Sequence, residues 1–395
     1  MPPHLVLFGA LDRHNFGDLL FPHNLSKLLP NLTIEFAGLA DRDLRPWGGH
    51  LVKSLASIKM DENTILIHCG GELLTCTAFQ AAVMLQTPEQ AEQAIAKFDA
   101  NPEAAARWAA EALNTHRAIP YVASQDWGKV IFNAVGGVEW PLLKHTQQNE
   151  VAAALKQANW VSVRDHVTQA HLKAAGILAH LCPDPAVMVK ECFDEVIQEH
   201  RQQGEVAEMR RAFPPGFIAC QFSAEFGDDK ALDQLARGLG RVCAQTGLGV
   251  VLFRAGAAPW HDQIEPYKRL KQKLPENTVR IFNSLHLWDI CALIASSRTF
   301  CGSSLHGSIV AMTYGLPHVA LMGPQGVSQF GKVAAYLETW EPEGLANNAK
   351  VERIGSALAK AMVQSKEQLE ETSVHLVTRY KESYRQRLNF VDFPI

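Results

Sequence analysis

Two series of short apolar runs, one after the other, constrain the fold of this 395-residue chain more than any other feature. The first series is LVLFGA (5–10), LTIEFAG (32–38), TILIHCG (64–70), AIPYVASQ (118–125) and WVSVRD (160–165). The second is GFIACQF (216–222), GVVLFRAG (249–256), TVRIFNS (278–284), TFCGSS (299–304) and HVALMG (318–323). Most are continuous rather than alternating, which suits strands buried on both faces of a parallel sheet. Helical patterns separate them. DDKALDQLARGLGRVCAQTG (228–247) carries apolar residues at helical spacing and closes on a glycine. Strand-helix alternation repeated twice predicts two α/β units in tandem.

The expected organisation is an N-terminal domain over 1–190, a helical linker over 191–212 followed shortly by Pro214-Pro215-Gly216, a C-terminal domain over 213–364 and a terminal helix over 365–395. Residues 75–117 are longer than an ordinary crossover and rich in alanine, so they read as a helical insertion. Asn101 serves there as N-cap with Pro102 at the first helical position. In the terminal segment Leu369, Leu376, Tyr380, Tyr384 and Leu388 form a stripe that needs a surface to pack on.

Composition narrows the function. A formal net charge of −4 gives no basic field for nucleic acid. Eight cysteines without a CxxC pair read as buried free thiols in a reducing compartment. No apolar run approaches the roughly 20 residues that span a bilayer. The start lacks signal-peptide character, so the expectation is a cytoplasmic protein. No metal site is evident, since His261 and Asp262 are adjacent rather than at ligand spacing.

Candidate residues gather where strands end. In FGALDRHNFGDLL (8–20), Gly9 and Gly17 allow close backbone approach and Asp18 can cap the helix that follows. Such a junction suits an anion, or is simply a capped turn. Pro22 argues for a helix that starts later than Asp18. Gly70 and Gly71 end the third strand, open to a ligand or to a tight turn, and His68 within that strand reads as a core histidine. Arg164 lies where its strand runs out, the edge at which α/β proteins hold ligands, and its planar fork suits a carboxylate or phosphate. The alternative is a structural pair with Asp165. Asp184 is held in a rigid loop between prolines. Arg254, Trp260, His261 and Asp262 form a polar-aromatic cluster that reads more simply as a solvated loop. His306 stands between TFCGSSL and GSIVAMTYG, at the start of a buried helix, where N–H groups and the helix dipole favour an anion. An imidazole there can exchange a proton.

Taken together, HNFGD (14–18), HCGGELL (68–74), SVRDHVTQAHLKAAGI (162–177), PDPAVM (183–188) and SSLHGSIVAMTYGLPHVAL (303–321) resemble the polysaccharide pyruvyl transferase family. FGKVAAYL (330–337) resembles that family's lysine beyond the last strand. The resemblance implies two Rossmann-like domains facing a cleft, as in GT-B glycosyltransferases, with the terminal helix able to cross back onto the first domain. It implies transfer of pyruvate from phosphoenolpyruvate to two hydroxyls of a sugar, with no cofactor beyond that donor substrate. Arg164 is then the clamp, His306 the acid/base or phosphate ligand, and Lys332 a second cation. Asn15 and Asp18 hold sugar hydroxyls, while Gly17, Gly70, Gly71, Asp184, Arg254, Ser303, Ser304 and Gly307 line the substrates. The partners expected are phosphoenolpyruvate and a sugar acceptor, with peripheral membrane contact if that acceptor is lipid-linked. Two alternatives remain at this level. One is a glycosyltransferase using a nucleotide-sugar, with Glu341 and Glu343 on the ribose. The other is a non-catalytic sugar-binding protein on the same scaffold.

Overall fold

A computed structural model describes residues 4–29, 32–98, 100–124, 128–323, 331–342, 345 and 348–391. The chain divides into two compact units. The first comprises residues 1–14, 18–185 and 378–395; the second comprises 15–17 and 186–377.

The first unit is built on an eight-stranded sheet: β1 (His4–Phe8), β2 (Ile34–Gly38), β3 (Arg42–Asp43), β4 (Leu51–Ser54), β5 (Thr64–His68), β6 (Lys129–Val135), β7 (Trp160–Val163) and β8 (His180–Leu181). Their order is β3-β4-β2-β1-β5-β6-β7-β8, parallel throughout except the β3–β4 pair. The core lines up Val6, Phe8, Leu66, Phe132, Val161 and Val163, as continuous apolar strands require. The run 118–125 does not supply a strand. Over its described part it is a turn, and Pro120 would remove a ladder hydrogen bond from the middle of a sheet. The central position goes instead to KVIFNAV (129–135), which has no proline. Between β5 and β6 lie the expected insertion helices, Ala78–Met84, Pro88–Phe98 and Pro102–Leu113. The third starts as the sequence indicated, with the Asn101 side chain accepting the Ala104 N–H at 3.1 Å. They share a satellite core of Val83, Ala91 and Ala94, with Phe79, Phe98 and Trp108 against it.

The second unit holds a six-stranded parallel sheet: β9 (Phe217–Gln221), β10 (Gly249–Leu252), β11 (Val279–Ile281), β12 (Thr299–Gly302), β13 (His318–Leu321) and β14 (Asn348–Ala349). The order is β11-β10-β9-β12-β13-β14. The segment 191–212 is helical. It belongs to helices Val189–Arg201 and Gly204–Ala212, which bury Ile197, Val206 and Met209. The last helix, Lys366–Val391, buries Leu369, Leu376, Tyr380 and Leu388. Its start bonds within the second unit, Ser373 Oγ to Thr313 O at 2.9 Å. From Thr378 it is counted with the first unit, where Tyr384 Oη donates to Leu28 O at 2.6 Å and Arg387 bonds Asn133. No helix among the described residues is long and apolar enough to cross a membrane. All eight cysteines are free thiols.

Candidate functional site

Sheet order decides where a site forms. In the second unit the chain builds outward from β9 through β10 to β11, then returns to add β12 on the other flank of β9. The carboxyl ends of β9 and β12 therefore frame a topological switch point, the usual ligand crevice of an open α/β sheet. Two serines follow β12. Ser303 Oγ accepts the Ser223 N–H at 2.9 Å, and Ser304 N donates to Gln221 Oε1 at 2.8 Å. Ser304 also N-caps the helix Leu305–Thr313, its Oγ accepting the Gly307 N–H at 3.1 Å. Every residue of that helix is buried, including His306 at 7% exposure. Gly307 lets the first turn close on Phe300, since a Cβ at 307 would fall 2.4 Å from the ring.

Residues 15–17 belong to the same unit. The Phe16 N–H donates to Ala255 O at 2.9 Å, and Asn15 Nδ2 lies 3.2 Å from His261 Nε2. Asn15 Oδ1 accepts the Gly17 N–H at 3.2 Å. The helix starts at Phe16 and runs to Leu28 with Pro22 inside it. Both sequence expectations for this turn are thus corrected: the helix starts earlier, and Asn15 rather than Asp18 caps it. Asp18 lies in the first turn, where its charge complements the dipole. Gly17 gives His306 its seat. A Cβ built on Gly17 would lie 1.8 Å from His306 Nδ1. Phe16 meets the same imidazole edge to face at 6.3 Å between centroids.

The loop after β10, read from the sequence as solvated, is tied down. Asp262 is buried, accepts both Gln221 Nε2 contacts at 2.9 Å and accepts the Ala255 N–H at 2.6 Å. Burial pushes its pKa up to about 7, against the hydrogen bonds from Gln221 and the backbone and the nearby Arg254 charge. Gln221 thus links Asp262 to the Ser304 N–H. Arg254 is half-buried, and its Nε is buried with no hydrogen-bond partner. Trp260 is 42% exposed in a left-handed conformation, φ 64°. Lys332 is exposed at the start of helix Lys332–Trp340.

In the first unit the switch point lies between β1 and β5. Gly70 (φ 133°) and Gly71 (φ 92°) follow β5 in conformations that side chains rarely adopt. The Asp18 carboxylate fills the space beside Gly71, 3.2 Å from where a Cβ would stand. Arg13 donates to Tyr121 Oη at 3.0 Å and approaches Asp18 at 3.9 Å, and Tyr121 donates to buried Asp12 at 2.8 Å. His68 is the core histidine expected: its Nε2 accepts the Ala123 N–H at 3.0 Å, and burial pushes its pKa down to about 3.

Arg164, expected as a substrate clamp, is 1% exposed and grips protein carboxylates instead. Its Nη2 lies 2.7 Å from Glu72 and its Nη1 3.1 Å from Asp184, which is itself fully buried. Burial opposes the Arg164 charge, but Glu72, Asp184 and Asp165 outweigh it and raise its pKa. Asp165 turns away to cap the next helix, accepting the Thr168 N–H at 2.7 Å. Gly136 makes room for the ion pair, because a Cβ there would lie 2.3 Å from Glu72 Oε2.

The model of the polysaccharide pyruvyl transferase family covers residues 15–323. The chain belongs to that family. No curated protein matches the sequence. Among solved structures, similarity is in fold alone. Anabaena Alr3699/HepE in complex with UDP-glucose aligns at TM-score 0.55 and 12% identity over 99% of each chain. UDP-N-acetylglucosamine 2-epimerase from Rickettsia bellii aligns at 0.53 and 12%, over 100% of this chain and 98% of that one. UDP-GlcNAc 2-epimerase from Neisseria meningitidis bound to UDP-GlcNAc aligns at 0.52 and 11%, over 98% and 99%. The GT-B-like class of two Rossmann-type domains expected from the sequence is the fold of this pyruvyl transferase family member.

Of the residues singled out in the sequence, the structure groups Asn15, Gly17, Ser304, His306 and Gly307 in one cluster, Asp18 with Gly71 in a second, and Arg164 with Asp184 in a third. Sequence reading missed Gln221, Glu72, Asp12, Arg13 and Tyr121. For Gln221 a signal was present: it is the one amide closing an otherwise apolar strand, FIACQ. Glu341, weighed as a ribose ligand or a solvated acid, is buried 2.7 Å from His318. Glu343 lies outside the described residues.

Proposed function

We propose that this transferase moves pyruvate from phosphoenolpyruvate onto two hydroxyls of a sugar, forming a cyclic ketal and releasing phosphate. The observation that carries the reading is His306, held on Gly17 at the first turn of the helix that leaves β12, at the switch point of its sheet. A helix start with a histidine beside it suits an anionic donor whose leaving group is phosphate.

The methylene carbon of phosphoenolpyruvate gains a proton, which leaves positive charge on C2. One sugar hydroxyl oxygen bonds C2, the C2–O bond to phosphate breaks, and the second hydroxyl oxygen closes the ketal. Of the two hydroxyl protons, one is equivalent to that gained by the new methyl group and the other leaves with phosphate. His306 moves protons or binds the phosphate, and the Leu305–Thr313 helix start stabilises its charge. Arg254 and Lys332 supply cations. Asn15 engages the acceptor. Arg164 acts through Glu72 and Asp184, fixing the loops that carry them. The nucleotide-sugar alternative loses one of its ribose ligands, since Glu341 is committed to His318.

The test is phosphate release from phosphoenolpyruvate across nucleotide-linked and lipid-linked sugars, with product mass. Sugar-dependent phosphate and a product carrying one pyruvate ketal are expected. His306→Ala should fold normally and lose roughly 10²- to 10⁴-fold in turnover. Near-wild-type turnover in that variant would remove His306 from the mechanism.

A further inference from the structure

The carboxyl end of β11 carries a second cluster, separate from the switch-point residues. His200 lies in the last turn of the helix Val189–Arg201, His286 closes the loop after β11, and Asp289 lies in the first turn of the helix Leu287–Ser296. One ligand atom from each of the three lies within 4.8 Å of the others. His200 Nδ1 is 2.6 Å from Asp289 Oδ1, and the two imidazoles stack at 5.2 Å between centroids, 12° from parallel. His286 Nδ1 is buried with no hydrogen-bond partner. The other oxygen of Asp289 is already oriented, accepting the Ser284 hydroxyl at 2.6 Å. The loop bearing Ser284 and His286 is fixed in turn by Glu205, which accepts the Asn283 and Ser284 N–H groups at 2.8 and 2.9 Å.

From this geometry we infer a divalent transition-metal site, with zinc as the fitting ion, formed by His200, His286 and Asp289. Two imidazoles and a carboxylate are a common zinc donor set, and water completes the tetrahedron. The Ser284–Asp289 hydrogen bond is the outer-sphere support that such carboxylate ligands carry. A metal would occupy the place of the proton shared by His200 and Asp289 and would bring His286 Nδ1 or its ring partner into use. The site would staple three segments of the second unit: the end of one helix, the loop after β11 and the start of the next helix. Sequence spacing does not reveal it. Only His286 and Asp289 are near neighbours, three residues apart, and His200 comes from a distant helix.

The test uses the full-length chain stripped with chelator and titrated with Co²⁺, whose tetrahedral complexes absorb strongly in the visible. One equivalent should produce that absorption, and Zn²⁺ should displace it. At zinc about 100 times its Kd, the melting temperature should rise by roughly 3 °C. His286→Ala and Asp289→Asn should each abolish the cobalt spectrum and the thermal shift. His375→Ala, at an exposed histidine outside the cluster, should leave both intact. Circular dichroism checks that the variants fold, and the two cluster variants serve as substitutes for one another. No tetrahedral spectrum in the wild type, or one that survives both cluster variants, overturns the proposal.

Discussion

His306 lies where a side chain on Gly17 would have to be: the Cβ of an alanine at 17 would stand 1.8 Å from His306 Nδ1. The imidazole is therefore positioned by backbone that it covers, and Phe16 and the Ser304-capped helix hold it from other sides. Gly17→Ala should push the ring off its seat. A displacement of about 1 Å at a reacting group can cost 10²-fold in rate, and overpacking costs roughly 1–3 kcal/mol in stability. We expect kcat for phosphate release to fall by about that factor in a variant that still unfolds cooperatively. Wild-type kinetics in Gly17→Ala would show that this contact does not position His306 for catalysis.

Arg164 joins two carboxylates from different loops, one of them fully buried. Arg164→Met should remove the cation facing buried Asp184 and destabilise the protein by about 3–5 kcal/mol. Adding Asp184→Asn to that variant should recover part of the loss, because the two residues share one network. Urea unfolding of the wild type, both single variants and the double variant measures the coupling. Strict additivity would mean that the pair contributes nothing as a pair.

Asp262 gives a pH dependence whose sign follows from its burial. Its pKa rises from 3.8 to about 7 on folding, so between those values the folded state holds a proton that the unfolded state has lost. Stability from this group is then fully present below about pH 4, declines as pH rises to 7, and stays constant above. The cost reaches roughly 4 kcal/mol in order of magnitude. Asp262→Asn cannot ionise, so its stability relative to wild type should rise between pH 5 and pH 8. Urea midpoints at the two pH values check this, and a difference that does not change with pH would refute it.

Much of the architecture was legible because burial on a sheet is written locally. Continuous apolar runs such as LVLF and FIAC record strands covered on both faces, and Asn101-Pro102 records a helix start, whatever lies elsewhere in the chain. The run 118–125 misled because apolar content alone does not distinguish a buried turn from a strand. Pro120 was the local cue, and KVIFNAV the competitor.

Local sequence is enough to give the two α/β units and the family. Which strand ends meet follows from sheet order and helix packing. Gln221 reaches Ser304 because β12 is laid beside β9, and Arg164 reaches Glu72 because β6 brings Gly136 between β5 and β7. His200 meets Asp289 because two helices pack together. Those contacts depend on sheet order and helix packing, which follow from the burial of the whole chain. Local periodicity specifies which face of an element is buried, but not which neighbour buries it.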